Sequence, residues 1–199
     1  MFSQYSEDDI FLPLLRDAPH RRFLEIGAWH PTDKSNSRAL YEAGWSGILI
    51  EPSPGPLLNL LCEYGADPRI QIIAAAVSCE AGLVTMQVTD DAVSTADRNQ
   101  YEAWKPVTSF RGSLTVAALS VADLFARFGG SFDFVSIDTE GTSVSIFADM
   151  LRTGVRPRVI VVEHDSRFVE LSQYAEQGSY RMVHENGTNR IYEWTSGRV

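Results

Sequence analysis

Four short apolar runs stand out along the chain: "RFLEIG" at 22–27, "SGILIEP" at 46–52, "FDFVSID" at 132–138 and "RVIVVEH" at 158–164, each with an acid at or near its end. Runs of this length, rich in Val, Ile and Phe, predict strands buried on both faces, as in a parallel sheet. Helical patterns lie between them. "SEDDIFLPLLRDA" opens with Ser6 and then Asp9, a capping-box-like start, and carries Pro13 where a kink is expected. "SNSRALYEAG" and "SPGPLLNLLCEYG" read as helices closed by Gly44 and Gly65. "SVADLFARFGG", "SIFADMLRTG" and "SRFVELSQYAEQG" read as three more. "RIQIIAAAVS" and "AGLVTMQVT" predict two further strands, the first apolar enough to be central and the second alternating like an edge. Near the end, Asn186-Gly187 sits between two strand-like runs, a strong hairpin signal.

Strands and helices thus alternate up to a terminal hairpin. The order predicts an α/β fold: one domain over residues 1–199, built on a doubly wound, mostly parallel seven-stranded sheet with a C-terminal antiparallel hairpin. Residues 1–20 form an N-terminal helical segment, and residues 90–112 show no clear period. A connection of that length in a compact domain is usually functional or disordered.

Composition narrows the partners. The chain has 26 acids against 17 Lys plus Arg, a formal charge of -9, and such a surface repels phosphate backbones. Nucleic acid is therefore not the expected partner. No apolar run approaches membrane-spanning length, and the N-terminus carries acids where a secretory signal has its positive region, so a cytoplasmic protein without a membrane contact is expected. Cys62 and Cys79 lack metal-ligand spacing and read as two free thiols.

In an open α/β sheet, ligands bind beyond the carboxyl ends of the strands, where this chain places Glu25, Glu51, Asp138 and Glu163. Asp138 and Glu140 precede Gly141 and a helical pattern, so a helix-capping role competes with a binding role there. The first strand-to-helix turn, "GAWHPTDKSNS", has Gly27 alone, with Trp29 at the second-glycine position of a dinucleotide fingerprint and Pro31 soon after. A pyrophosphate fits that turn poorly, which disfavours a nicotinamide-dependent oxidoreductase. A row of carboxylates suits a cationic ligand such as a sulfonium better than a phosphate.

The blocks taken together resemble the FkbM-type methyltransferases. "RFLEIGAWHPTDKSNSRALYEAGWSGILIEPSP" is similar to that family's first block, "SIDTEGTSVSIF" to its Asp-x-Glu-Gly block and "SQYSED" to its N-terminal segment, with "AAAVSCEAG" and "VVEH" in the expected order. Trp29 departs from the small polar residue often found there, and "TVAALSVADLF" lacks a second threonine. The resemblance implies the S-adenosylmethionine-dependent class I methyltransferase fold, and O-methylation of a hydroxyl on a small molecule or glycan. A cofactor-binding but inactive partner protein is the alternative from a different class.

By motif position the resemblance implies that Glu25, Gly27 and Ala28 lie along the methionine portion of the cofactor, with His30 of the same block facing it. Glu51 and Pro52 are expected at the ribose, and Ala76 and Val77 at the adenine, where plain core packing is the competing reading. Asp138 and Glu140 are expected where acceptor and cofactor meet, and His164 is a candidate general base. Some other O-methyltransferases hold a divalent cation between acids at these two strand ends, here Asp138 and Glu163, but two oxygen ligands without a third do not by themselves imply a metal. Residues 90–112, with Tyr101 and Trp104, are a candidate acceptor-site loop.

Overall fold

In a computed structural model that describes residues 1–89 and 91–195, the alternation becomes a doubly wound sheet. The chain runs through α1 (Glu7–Leu14), β1 (Arg22–Ile26), α2 (Arg38–Glu42), β2 (Ser46–Ile50), α3 (Pro54–Tyr64), β3 (Ile70–Ile73), β4 (Ala76–Ser78), β5 (Gly82–Thr89) and α4 (Arg98–Trp104). It continues through β6 (Phe110–Ser120), α5 (Val121–Phe128), β7 (Phe134–Ile137), α6 (Ser143–Arg152), β8 (Val159–Glu163), α7 (Phe168–Gln177), β9 (Tyr180–Glu185) and β10 (Asn189–Trp194). The main sheet has seven strands in the order β3-β2-β1-β7-β8-β10-β9, parallel except for β10, which runs antiparallel to both β8 and β9. The path moves outward from β1 to β3 and later returns to start again at β7, so the strand order reverses between β1 and β7. Such a reversal opens a crevice at the carboxyl edge.

Strand alternation divides the core into two layers. Leu24, Ile26, Ile48, Ile50, Val135 and Ile137 face α5, α6 and α7, where Leu124, Phe147 and Leu171 are fully buried against them. Phe23, Leu49, Phe134 and Val161 face the other side, under Phe11 of α1, Leu40 of α2 and Leu60 of α3. Glu25 shares the side of Phe23, so its carboxylate is sent toward the loop before α2. No helix among the described residues is long and apolar enough to cross a membrane.

Three local expectations are corrected. The run 69–78 is two strands, and the first of them, β3, lies at the sheet edge with partly exposed residues instead of at the centre. After Ile73 the chain turns, with Ala75 N–H on the Ile73 carbonyl, and β4 leaves the main sheet for a three-stranded one ordered β4-β6-β5. Of the segment 90–112, the described residues 91–112 are not a structureless loop. Asp97 caps α4 by accepting from the backbone N–H of Asn99 and Gln100, and β6 begins at Phe110. Finally, Ser6 makes no side-chain cap bond and has φ 63°; the Asp8 carboxylate instead gathers the N–H groups of Phe2 and Ser3 at 2.7 and 3.4 Å. The hairpin expected at Asn186-Gly187 forms, and Ser120 caps α5, its Oγ accepting from Asp123 N–H.

Gly27 is where the two halves of the sheet meet. It has φ +82°, and a Cβ added there would lie 1.7 Å from the Asp138 carbonyl oxygen. Both the backbone conformation and the close approach exclude a side chain. Gly27→Ala should lower stability by about 2 kcal/mol or more in urea unfolding, because neither strand end can move without breaking its ladder. An unchanged midpoint would contradict that geometry.

Candidate active site

The reversal between β1 and β7 opens into a cavity of about 660 Å³. Its floor is the carboxyl ends of β1, β2, β7 and β8; the small sheet and α4 form one wall, and Gln4 and Tyr5 of the N-terminal segment lie across another side. Glu25, Gly27, Ala28, Glu51 and Pro52 line it, as do Ala76, Val77, Asp138, Glu140 and His164. Val77 is also a core residue, so the two readings of that position coexist. His30 is not brought to the cavity. Its Nδ1 accepts the backbone N–H groups of Thr32 and Asp33 at 3.2 and 2.9 Å, which makes it a fastener of its own turn.

The strand-end acids differ in how their charge is met. Glu25 is buried, and its two oxygens take Asn36 N–H at 3.0 Å and the Ser37 hydroxyl at 2.5 Å, with Ser35 Oγ at 3.5 Å. Burial pushes its pKa up to about 7, against the lowering effect of these donors, and the nearby Asp138 adds to the rise. Glu25 therefore fixes the loop before α2 and does not present a free carboxylate. Glu51 accepts Trp29 N–H at 3.0 Å on one oxygen and Ser53 N–H at 2.7 Å on the other. A carboxylate has about four acceptor positions, so capacity remains on the cavity side.

At the end of β7 the helix-cap question resolves geometrically. The N-terminal groups of α6 are taken by other acids: Asp165 accepts Gly141 N–H at 2.9 Å and Val144 N–H at 3.4 Å, and Glu163 accepts the Ser143 hydroxyl at 3.0 Å. Asp138 is thereby spared for the cavity. Glu140 sits at φ 50° and joins Asp138 and Glu163 in a trio whose carboxylate oxygens lie within 4.8 Å of one another. Burial raises all three pKa values, Asp138 to about 6 and Glu140 to about 8; repulsion from Asp138 and Asp165 adds to the rise at Glu140 and Glu163, and repulsion from Asp165 and Glu7 to that at Asp138. The trio supplies the third oxygen ligand that the sequence did not reveal, a donor set suited to a hard divalent cation. Glu140 also receives the Trp104 indole N–H at 3.2 Å, which ties α4 to the cluster.

His164 is buried at the cavity wall, but its geometry speaks against the expected role as general base. Nδ1 accepts Ser166 N–H at 3.1 Å, so the ring proton belongs on Nε2, which lies 3.1 Å from the Gly187 carbonyl oxygen. Both ring nitrogens are thus engaged within the protein. Asp165, next in sequence, was not anticipated; its signal was the acid at the start of the helix after "VVEH". Strain concentrates here as well: Trp29, Glu140, Asp165 and Ser166 all line the cavity with positive φ. Non-glycine residues held in that region cluster at functional sites.

The sequence matches the family described as Methyltransferase FkbM domain over residues 25–182. Among solved structures, monomeric WbdD aligns with a TM-score of 0.53 at 12% identity over 99% of this chain and 43% of its own, so the chain spans less than half of that protein. A putative caffeoyl-CoA O-methyltransferase from Staphylococcus aureus gives 0.52 at 12% identity, covering 94% of this chain and 82% of the other. The S-adenosylhomocysteine-bound Podospora anserina methyltransferase PaMTH1 gives 0.50 at 10% identity, covering 98% and 80%. At these identities the likeness is one of fold. No curated protein sequence matches the chain.

The acid trio makes a signed prediction. Carboxyl groups whose folded pKa exceeds the unfolded one bind more protons in the native state, so their stabilising effect is full below the ordinary carboxylate range and is lost as pH rises through the raised values. With Glu140 titrating near 8, the urea midpoint in chelator-containing buffer should fall between about pH 5 and about pH 8. Glu163→Gln removes one charge while keeping an acceptor for Ser143, and should flatten that fall. A midpoint that climbs over this window, or a slope unaltered by Glu163→Gln, would contradict the electrostatics.

Proposed function

The chain belongs to the FkbM methyltransferase family, and from that premise we propose that it binds S-adenosylmethionine and methylates a hydroxyl oxygen of a small molecule or sugar. When bound, the cofactor supplies an electrophilic methyl group on a sulfonium. The donor set fits it. Glu51, at the end of β2, has acceptor capacity for two ribose hydroxyls, and Gly27 lets the backbone of the first turn pass beneath the amino-acid end. Trp29 stands where a dinucleotide fingerprint has its second glycine, which disfavours a nicotinamide dinucleotide.

The observation that carries the reaction type is the desolvated trio of Asp138, Glu140 and Glu163. A hydroxyl acceptor must lose its proton as its oxygen is methylated, and a carboxylate whose pKa is raised toward neutrality is well matched to take it. Asp138, directly after β7 and raised to about 6, is assigned to orient the acceptor hydroxyl and to receive its proton, beside Glu140, which is fixed by Trp104. Val84, Met86 and Val93 give the acceptor side of the cavity an apolar wall, which suits a ring face. The acidic surface argues for an acceptor that is not a nucleic acid.

S-adenosylhomocysteine should raise the melting temperature and NAD should not, by linkage of binding to stability. Glu51→Ala should weaken S-adenosylhomocysteine binding by about 1–3 kcal/mol in calorimetry, through loss of charged hydrogen bonds. Stabilisation by NAD alone would overturn the cofactor assignment. With labelled S-adenosylmethionine and a panel of sugars and phenols supplying a readout, Asp138→Asn should lower turnover at least about tenfold with the fold intact. A wild-type rate in that variant would remove Asp138 from the reaction.

A further inference from the structure

Beyond the acids, one wall of the cavity is apolar, and its construction limits what can rest on it. Strand alternation gives β5 two faces. Thr85 and Gln87 point to solvent, where they bond Thr115 and Ser113 of β6 at 2.9 Å, so Val84 and Met86 point the other way and line the cavity. Val93, in the segment after β5, lines it too, and Trp104 and Val107 at the end of α4 continue the lining. Trp104 differs from the rest. Its indole N–H is held by the Glu140 carboxylate at 3.2 Å, yet the residue is 36% exposed and no residue of α4 is buried. The ring is fixed at its polar edge while much of its apolar surface stays uncovered at the cavity. We propose that the acceptor is an aryl alcohol and not a sugar, its ring lying on Trp104 and against Val84, Met86 and Val93; the assignment rests on the methyltransferase reading of this cavity.

Glu140 ties this wall to the acids. Its carboxylate takes Trp104, its carbonyl oxygen accepts the Thr95 hydroxyl at 2.6 Å, and Thr95 is bridged to Gln87 of β5 by two backbone hydrogen bonds of 2.7 and 3.0 Å. Gly141, next in the chain, lets α4 come close, since a Cβ there would lie 2.7 Å from side-chain atoms of Asp97 and Gln100. A ring on the wall therefore carries its hydroxyl toward Asp138, which shares the trio with Glu140. A sugar would set several hydroxyls against Val84, Met86 and Val93, none of which returns a hydrogen bond from its side chain, and each hydroxyl left unpaired costs affinity. A planar ring leaves one hydroxyl to be met, and packing on an indole adds to the burial of its faces. The chemistry agrees. A phenolic O–H titrates at about 10, well below an alkyl alcohol, so it gives its proton to a carboxylate more readily as its oxygen takes the methyl group from the sulfonium. The products are an aryl methyl ether, a thioether and a carboxylic acid.

The probes are 2-naphthol and methyl glucopyranoside, titrated by calorimetry into protein saturated with S-adenosylhomocysteine, for wild type, Trp104→Ala and Trp104→Phe. Wild type should bind 2-naphthol at least about tenfold more tightly than the glycoside. Trp104→Ala should weaken 2-naphthol about three- to tenfold, the size of a lost ring pair, and leave the glycoside where it was. Trp104→Phe keeps a ring and loses the bond to Glu140, and should retain most of the 2-naphthol affinity. A glycoside bound as tightly as 2-naphthol, or 2-naphthol binding unmoved by Trp104→Ala, would overturn the acceptor class while leaving the cofactor reading in place. Equal weakening in the alanine and phenylalanine variants would reduce Trp104 to a tether for Glu140 and overturn the ring platform. Failure of wild type to bind S-adenosylhomocysteine would overturn the methyltransferase reading of the cavity, and the acceptor class with it.

Discussion

A carboxylate withdrawn from water must be given N–H or O–H donors or must keep a proton. That constraint organises the carboxyl edge of this sheet. Four parallel strands end there in acids, and for most of them the donors come from the backbone of the loops that follow. Glu25 draws in residues 35–37, Glu51 joins the turn at Trp29 to the one at Ser53, and Asp165 with Glu163 receives the first turn of α6. Glu7 does the same from the N-terminal segment, taking Asn186 and Asn189 of the hairpin at 2.9 and 3.0 Å. The acids are thus loop organisers first, and the shape of the cavity follows from which donors each one captured.

Satisfaction stops short at one place. Asp138, Glu140 and Glu163 converge with too few donors to meet three charges, and the price is a cluster that holds protons well above the ordinary carboxylate range. Clusters of that kind persist where chemistry needs them. The strained turns at Trp29, Glu140 and Asp165 point to the same spot, since each bends a non-glycine residue into positive φ at the cavity wall. Both features lie at the carboxyl edge of the sheet and outside the two apolar layers.

What was legible in the sequence follows from how each element is stabilised. β1, β2, β7 and β8 are buried on both faces, so their apolar runs announced them. The β5–β6 ribbon is half solvated and held by pairs such as Thr85 with Thr115, so β6 gave no apolar run and was missed, and with it the second sheet. β3 looked central because Ile70, Ile72 and Ile73 pack against the core from an edge that the chain leaves at once. At the site, residue types and spacing brought out the strand-end acids. The direction of each side chain was not legible: Glu140 depends on a φ of 50°, His164 on the hairpin carbonyl at Gly187, and Asn36 on a serine a hundred residues away.

The central claim is that the crevice between β1 and β7 holds a sulfonium cofactor with its ribose on Glu51. A crystal structure of the protein soaked with S-adenosylhomocysteine tests it most directly. The account predicts both ribose hydroxyls within hydrogen-bond distance of the Glu51 carboxylate, the thioether sulfur directed at Asp138 and the amino-acid end over Gly27. Ligand bound elsewhere, or Glu51 still bonded to Trp29 and Ser53 alone while the ligand lies in the cavity, would contradict it.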